Sequence, residues 1–525
     1  MARPHLCTLS TFYRLQFFSC IPVHKKRRFM LYTWEINQRE KIFAGLAVHS
    51  MHHSMLESVL GSAAAAKESL IYSYGRSFNG LAAKLSDEEV DRLAVMDEVV
   101  LVFPDTPPQL HTTRSWDFLG LPFDNDRKII GARFYNSMNF HNTTDIDSPR
   151  DSTGHGTHTA STTAGRVVAG ASYYGLAKGL ARGGSPSARI AVYKVCSSFR
   201  CSSIDILAAF DDAIADGVHI ISASLGLASA SPYWKDPVAI GSFHAMKNGT
   251  LTSVSAGNHG PERGVVSNPS PWLLTVAATS FDRKFVSRLV LGNGKTFTGP
   301  VINNFGFNGT SFPLIWGGDA TNFSANSISL KSRQCLPGGL DSDKVKGKIV
   351  LCESRSSGAG VIMADGVGTI MPGQILNNIA FPLPLPATMI SREDINKVLE
   401  YIRTSKYKAT ILATEIWKDT MAPYAAPLSS RGPNRINPDI LKPDLSAPGV
   451  NILAAWSPMA SPSVYKKNTR RSKFYIYSGT SMSCPHITRA SAHVKSVHPN
   501  WSPAAIKSAL MTTGSLGTFH KHLIC

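Results

Sequence analysis

Ser481 lies in a run of small residues, 479–486 (GTSMSCPH), that precedes a helical pattern. The run predicts a turn followed by a helix, with the serine at the helix N-terminus. Backbone N–H groups and the positive end of the helix dipole can stabilise an oxyanion at such a place. A serine hydroxyl becomes a nucleophile only when a base takes its proton. The run also fits a plain helix cap, because serine caps helices without any chemistry.

Two other segments contain the residue types that a serine nucleophile needs. Residues 154–161 (GHGTHTAS) include His155, whose imidazole is a general base of the right kind. Residues 253–261 (SVSAGNHGP) include Asn258, whose side-chain amide can donate to a developing oxyanion. Each segment is weak alone, because single histidines are usually structural and Ala-Gly-Asn is an ordinary turn.

Taken together, in the order His, Asn, Ser, the three segments resemble the subtilisin family of serine proteases. The chain is most similar to plant subtilases of the cucumisin type in residues 112–122 (TTRSWDFLGLP), 128–137 (KIIGARFYNS) and 428–456, and the resemblance runs from about His49 to Thr513. It implies a serine-type endopeptidase that acts on polypeptides through an acyl-enzyme, without cofactor or metal. Ser481 would be the nucleophile, His155 the general base and then acid, and Asn258 part of the oxyanion hole.

The aspartate that orients the histidine in this family has no counterpart in the sequence. In the family it ends an apolar strand upstream of the histidine segment, whereas only residues 123–127 separate the first two matching segments here. Asp124 and Asp126 follow no apolar run. Asp151 occupies a place where the family has a second aspartate as well. We therefore assign no catalytic aspartate, and we expect the parallel sheet not to close in the family manner.

Two alternatives to an active endopeptidase remain open at this point. The chain could be a catalytically inactive pseudoprotease that still binds extended peptides. It could also be an incomplete gene model of an active subtilase, because the start, the 122/123 junction and the end each depart from the family pattern. Arg489 is a further departure, since subtilases have a small residue there and a buried guanidinium needs partners.

Periodicity places these residues on an α/β framework. Strands are predicted at 70–74, 99–104, 189–195 and 218–226, the third of them buried, and helices at 87–96, 204–216, 237–247, 482–497 and 501–513. Ser86 and Glu89 form a capping box for the first helix, and Ser502 caps the last. Repeated β-α-β units predict a parallel sheet with its chemistry at the carboxyl ends of the strands.

The resemblance adds a domain plan to this α/β pattern. It implies a subtilisin-like doubly wound parallel sheet, preceded by a ferredoxin-like α+β propeptide and interrupted by a β-rich protease-associated domain. The propeptide would be an intramolecular inhibitor, although a small accessory α+β domain fits its periodicity equally well. The expected boundaries are a leader at 1–46, the propeptide at 47–112, the catalytic domain at 113–284 and 421–513, the insert at 285–420, and a non-family tail at 514–525.

Four residues at strand ends are candidates for substrate binding. The matching backbone in subtilases lines the cleft and pairs with an extended peptide, which implies this role for Ser224, Leu225, Gly226 and Ala256. From the pattern alone they are only strand termini.

Bulk composition limits the partners. The chain has 525 residues, 43% hydrophobic and 17% charged, which is typical of a globular protein. Its net charge of +18 comes without a compact basic helix or aromatic-basic platform, so we expect no nucleic-acid partner. No run of 18 apolar residues is present, so we expect no membrane span.

The resemblance implies an extracellular protein of the cell wall or apoplast. Residues 11–23 give no clear signal peptide, because Arg14 and Gln16 interrupt the apolar run. Cys196 with Cys201, and Cys335 with Cys352, are the expected disulfides, and Cys484 is expected to be a buried small residue. Glycosylation sequons begin at Asn142, Asn248, Asn308, Asn322 and Asn500.

Overall fold

The computed structural model describes residues 28–34, 44–104, 109–110, 128–137, 145–197, 200–323, 329–373, 379–404, 407–465, 467–514, 517–519 and 522–524. The chain forms two compact units. One comprises Met1–Ser73 and Asn79–Asp105, and the other Tyr74–Phe78 and Thr106–Cys525. Residues 1–27, which include most of the predicted leader, lie outside the described residues.

The smaller unit is an α+β sandwich. Its elements are β1 (Arg28–Trp34), α1 (Ala44–Leu60), α2 (Ala63–Ser69), β2 (Leu70–Tyr74), β3 (Asn79–Leu85), α3 (Asp87–Ala94) and β4 (Leu101–Pro104). The strand order is β2-β3-β1-β4, and β1 runs antiparallel to both of its neighbours. Leu56, Leu81 and Leu93 are fully buried between helices and sheet. The capping box of Ser86 and Glu89 is present, as predicted.

The first half of the larger unit contains the predicted βα repeats. Its elements are β5 (Gln109–Leu110), β6 (Ile129–Phe134), α4 (His155–Ala164), β7 (Val168–Tyr173), β8 (Leu176–Ala181), β9 (Ile190–Lys194), β10 (Cys196–Ser197), β11 (Arg200–Cys201), α5 (Ser203–Ala215), β12 (Ile220–Ala223), β13 (Leu225–Gly226), α6 (Pro237–Lys247), β14 (Leu251–Ser255) and β15 (Leu274–Thr279). The observed α5 and α6 match the predicted helices to within a residue.

A second group of elements builds a mixed eight-stranded sheet. They are β16 (Arg283–Leu291), β17 (Thr296–Pro300), β18 (Phe312–Trp316), α7 (Ser329–Arg333), α8 (Ser342–Val345), β19 (Ile349–Leu351), α9 (Ala359–Met363), β20 (Gly368–Pro372), β21 (Ala387–Ile390), α10 (Arg392–Ile402), β22 (Lys408–Ile411) and β23 (Glu415–Lys418). The order is β17-β16-β22-β18-β19-β20-β21, with β23 also paired to β16. The sheet has its own core, in which Leu314, Ile349 and Ile370 are buried.

The chain then returns to the parallel sheet. The remaining elements are β24 (Leu445–Pro448), β25 (Ile452–Ala455), β26 (Phe474–Tyr477), α11 (Thr480–Val497), α12 (Pro503–Thr512), β27 (Gly517–Phe519) and β28 (His522–Ile524). The sheet order β12-β14-β15-β24 is parallel throughout. Helix α11 packs across this sheet and against α4. The fold class is therefore the predicted one.

Outside the eight-stranded sheet, the parallel strands are divided between two separate sheets. Strand β9 pairs with β6, while β12 pairs with β14, and no pairing joins β9 to β12 among the described residues. The prediction that β9 would be buried is wrong, because all five of its residues are only half-buried. A strand needs a neighbour on both edges and both faces to be enclosed.

Both predicted disulfides are present. Cys196 bonds to Cys201, and Cys335 bonds to Cys352. Cys484 is free and buried, as predicted, and burial raises the pKa of its thiol. Among the residues that the structure describes, no helix is long and apolar enough to cross a membrane.

Candidate active site

Ser481 occupies the first turn of α11 and is fully buried. Its hydroxyl donates a hydrogen bond of 3.0 Å to the carbonyl oxygen of Ser224. The Ser224 hydroxyl in turn donates to the carbonyl oxygen of Ser481, also at 3.0 Å. This reciprocal pair fastens the start of α11 to the end of β12. Two predicted residues, Ser481 and Ser224, are thus in direct contact.

Asn258 is held against the same helix start. Its side-chain oxygen accepts from the backbone N–H and from the hydroxyl of Thr480, each at 2.9 Å. The Thr480 hydroxyl also accepts from the backbone N–H of Gly257 at 3.2 Å. Because the amide oxygen is occupied, the orientation of the Asn258 side chain is fixed and its NH₂ group remains as the donor. Sequence reasoning missed Thr480, although it directly precedes the predicted nucleophile.

His155 is the first residue of α4 and is 5% exposed. Gly154 precedes it with φ of 87°, a left-handed conformation that favours glycine. The structure therefore places His155 at one helix start and Ser481 at another, on two helices that pack together.

The carboxylate of Asp151 accepts hydrogen bonds from residues at the start of α4. One carboxylate oxygen accepts from the backbone N–H groups of Thr153 and Gly154, at 3.0 and 2.8 Å. The other accepts from the N–H and the hydroxyl of Thr157, both at 2.7 Å. These bonds hold residues 151–154 against the start of α4 and satisfy one free N–H of its first turn, that of Thr157. Asp124 and Asp126 lie outside the described residues.

An extended segment of this chain pairs with the strand that was predicted to bind substrate. Leu225 and Gly226 pair antiparallel with Leu110 and Gln109. This is the pairing that an extended peptide makes when it adds to a free strand edge. Ala256 differs, because its N–H donates to Val276 and its carbonyl accepts from Ser267, at 2.9 and 2.8 Å. The backbone N–H of Ala256 is therefore already used and is not available to donate to a peptide.

Asn268 joins the strand ends that surround the site, and sequence reasoning did not find it. Its side-chain nitrogen donates to the carbonyl oxygens of Leu225 and Ser255, at 2.8 and 2.7 Å, in a fully buried position. A methyl group on Gly226 would crowd that nitrogen. Asn268 thus fixes the spacing between β13 and β14. Its sequence context, a single Asn before proline, gave no signal of this.

His158 and His486 are structural. His158 Nε2 donates to the Tyr475 carbonyl at 2.9 Å, and His486 Nδ1 donates to the Met482 carbonyl at 2.7 Å. Burial is the main reason that the pKa of each is lowered to about 3.

These pKa values predict a pH-dependent stability. The folded pKa lies below the unfolded value of 6.5, so the unfolded chain binds more protons as the pH falls. The stabilisation is complete above about pH 6.5 and is lost toward pH 3. At pH 5 each histidine should cost about 2 kcal/mol relative to pH 7.

Chemical unfolding at pH 7 and pH 5, compared between the wild type and His486→Gln, measures one of these contributions. The loss of stability between the two pH values should be about 2 kcal/mol smaller in the variant. Comparing the two chains cancels other groups, including Asp236, whose pKa burial raises to about 6 and which acts in the opposite direction. Equal losses in both chains would refute the assignment.

Arg489 is buried beside this site without compensation. Its side chain is 2% exposed, and neither Nε nor Nη1 has a hydrogen-bond partner among the described residues. Burial is the main cause, and repulsion from Arg182 the next, of a pKa lowered to about 10. The guanidinium occupies the space above Gly184, where a methyl group would overlap it. The expected departure from a small residue therefore has a structural cost.

The structure is a parallel α/β sheet with Ser481 at the start of one helix and His155 at the start of another. The subtilase family matches residues 93–522, and the peptidase inhibitor I9 family matches residues 43–111. The chain belongs to the subtilase family of serine proteases, with an inhibitor-type propeptide domain at its N-terminal side. The predicted resemblance is confirmed.

Two relatives illustrate the similarity. Subtilisin-like protease SBT4.3 of Arabidopsis thaliana is 46% identical over 519 residues, which cover 89% of this chain and 70% of the relative. Subtilisin-like protease SBT4.15 of the same plant is 42% identical over 554 residues, which cover 94% and 71%. A solved psychrophilic subtilisin-like protease, Apa1 from Pseudoalteromonas, aligns at 16% identity over 74% of this chain and 87% of its own, with a TM-score of 0.33.

Proposed function

We propose that the chain is a serine-type endopeptidase that hydrolyses polypeptides through an acyl-enzyme. The observation that carries the proposal is the Asn258–Thr480–Ser481 arrangement, in which the amide donor is locked beside the serine at a helix N-terminus. The oxygen of the Asn258 side chain holds the start of α11, and its NH₂ group is the type of donor that stabilises an oxyanion.

The proposed reaction gives Ser481, His155 and Asn258 the roles that the family resemblance implies. The Ser481 hydroxyl leaves the Ser224 carbonyl and attacks the peptide carbonyl carbon, while His155 accepts the proton. The negative oxygen of the tetrahedral intermediate accepts hydrogen bonds from the Asn258 NH₂ group and the Ser481 backbone N–H. His155 then gives its proton to the departing amine, and water releases the acyl group by the same steps in reverse order.

Turnover should be slow because the sequence contains no counterpart of the apolar strand and aspartate that orient the histidine in this family. In subtilisin, removal of that aspartate alone lowers kcat roughly 10⁴- to 10⁵-fold, while the oxyanion hole and peptide binding still contribute. We therefore propose a weak protease. Cleavage of a quenched fluorescent peptide library by the wild type, absent in Ser481→Ala, tests it. Equal rates in both chains would disprove it.

Asn258→Ala and Thr480→Val give a graded test of the oxyanion proposal. Asn258→Ala removes the donor and should lower kcat roughly 10²- to 10³-fold with KM little changed. Thr480→Val keeps the donor but removes one bond that orients it, so a smaller fall in kcat is expected. Initial rates over a range of peptide concentrations separate the two constants. A change confined to KM in either variant would contradict the proposal.

A second candidate is a binding protein that captures extended peptides without cleaving them. It is favoured by the buried Ser481 hydroxyl, which is bonded to the Ser224 carbonyl. Tight capture of a peptide that stays intact for hours would support this candidate. Cleavage that is lost in His155→Gln would exclude it.

We also propose that the I9-type domain inhibits the chain from within. The segment Gln109–Leu110 lies at the end of the I9 match and occupies the strand edge at Leu225–Gly226 that substrate would use. Residues 285–420 would be a protease-associated insert, which the self-contained eight-stranded sheet supports.

An extracellular glycoprotein is the proposed state in the plant. Two disulfides suit an oxidising compartment. The sequons at Asn308 and Asn500 begin at exposed residues. Asn248 is also exposed, but the hydroxyl of Thr250 in its sequon is buried and donates to Val218. A mass shift on glycosidase treatment of the chain from plant extracellular fluid tests this proposal.

A further inference from the structure

A cavity of about 270 Å³ opens in the eight-stranded sheet, away from the serine. It lies at the carboxyl ends of three neighbouring parallel strands, where Trp316 ends β18, Leu351 ends β19 and Pro372 ends β20. Helix α10 closes the other side. In open α/β sheets, ligands bind outside the carboxyl ends of parallel strands. The cavity therefore lies at the position where such sheets bind ligands.

The deep wall of the cavity is apolar and fixed. Leu351 is 1% exposed and belongs to the core of the sheet, against which Trp316, Ile395 and Leu399 also pack. Cys352, which lines the cavity, is held by its disulfide to Cys335. The volume of about 270 Å³ lies just below the roughly 300–1,000 Å³ of most small-molecule sites, which limits the ligand to about the size of one large residue.

Three polar side chains lie at the rim of the cavity: Arg392, Asn396 and Glu353. Arg392 and Asn396 are four residues apart on α10, so they project from the same face of the helix. On the same helix, Lys397 forms ion pairs with Glu393 and Asp394, in which Arg392 takes no part. Glu353, on the strand side, accepts from Arg333 at 2.8 Å. The rim thus offers one exposed cation, one amide and one anion whose charge is partly compensated.

We propose that this cavity binds an α-amino carboxylate with a large apolar side chain, either a free amino acid or the C-terminal residue of a peptide. The side chain enters between Trp316 and Leu399, and the carboxylate pairs with Arg392. The Asn396 amide accepts from the ligand nitrogen, and Glu353 disfavours any second negative charge. The site is independent of peptide cleavage, so it stands whether or not Ser481 is reactive.

Calorimetric titration of the full chain with N-acetyl-L-phenylalanine, N-acetyl-L-phenylalaninamide and L-phenylalanine tests the proposal. N-acetyl-L-phenylalanine should bind with a Kd on the order of 1 mM, and its neutral amide should bind at least tenfold more weakly. Binding of both N-acetyl-L-phenylalanine and L-phenylalanine would show that the site accepts peptide C-termini. Binding of L-phenylalanine alone would show that its ligand is the free amino acid. Equal binding of acid and amide, or no binding of either acid at roughly 20 mM, would overturn the proposal.

Three variants locate the binding. Arg392→Gln should weaken the acid at least tenfold and leave the weak binding of the amide unchanged. Arg403→Gln, an exposed arginine at the other end of the same helix, is the matched control and should change the Kd less than twofold. Ile395→Trp fills the cavity and should abolish binding of all probes at an unchanged unfolding temperature. Unaltered binding in Ile395→Trp would place the ligand elsewhere and refute the site.

Discussion

Gly154→Ala should unfold the chain more readily by about 3–4 kcal/mol and abolish the reactivity of Ser481. Two costs add at this position. The residue has φ of 87°, which strains any side chain by roughly 1–2 kcal/mol. A methyl group there would also overlap the indole ring of Trp456. Because Gly154 directly precedes His155, the displacement would be passed to the imidazole.

Trp456 cannot easily give way. Its ring stacks on Tyr475 with centroids 4.3 Å apart and meets His158 edge-on at 5.9 Å. Its Nε1 donates to the Ser461 carbonyl at 3.1 Å. Moving the indole would disturb all three partners, so the steric cost should not relax away.

Gly170→Ala separates backbone strain from steric overlap. Gly170 has φ of 70° and no atom within 4 Å of the place where a methyl group would be added. It should cost roughly 1–2 kcal/mol and leave the site reactive. Denaturant unfolding and serine reactivity of both variants check this. If the two variants are equally destabilised, the overlap with Trp456 is not the cause.

Arg489→Met should stabilise the folded chain by about 3 kcal/mol. The pKa of Arg489 is lowered from 12.5 to about 10, first by burial and then by the charge of Arg182. At neutral pH these effects disfavour the charged form by about 3 kcal/mol. Methionine has a similar length and adapts its shape, so it removes the charge without opening a cavity. The removal also relieves His486, whose pKa is lowered by burial and then by Arg489.

Lys495→Met is the matched control on the same helix. Lys495 is only half-buried, and its ammonium group donates to the Trp501 carbonyl at 3.0 Å. Its replacement should change the free energy of unfolding by less than about 0.5 kcal/mol. Denaturant midpoints of both variants at pH 7 give the comparison. A destabilised Arg489→Met would show that the guanidinium is better accommodated than its contacts indicate.

Local signals predicted much of the fold. The helix at Pro237–Lys247 was predictable to the residue, because proline opens it and Asn-Gly closes it. The capping box at Ser86 and Glu89 was equally specific. The apolar pattern of β9 predicted full burial, whereas the strand is only half-buried. Burial depends on neighbouring strands, and among the described residues β9 pairs with β6 but not with β12.

The sequence could propose the residue types of the site but not their connections. Ser481, His155 and Asn258 were proposed because their three segments occur together in the order found in the family. Thr480 and Asn268 were not, because their roles arise from contacts across 222 and 43 residues of sequence. The same holds for Asp151, whose carboxylate is bonded to the start of α4 and which sequence alone could not distinguish from a partner of His155.

Labelling with a fluorophosphonate probe tests the central proposal, a reactive serine protease site, most directly. The serine oxygen displaces fluoride from the probe to form a phosphonate ester only when a base accepts its proton and the oxyanion is stabilised, so the label does not depend on a cleavable substrate. We predict slow labelling of the wild-type chain, with the adduct on Ser481, lost in Ser481→Ala and strongly reduced in His155→Gln and Asn258→Ala. A folded chain in which Ser481 takes up no label, or labels equally well without His155, would contradict the proposal.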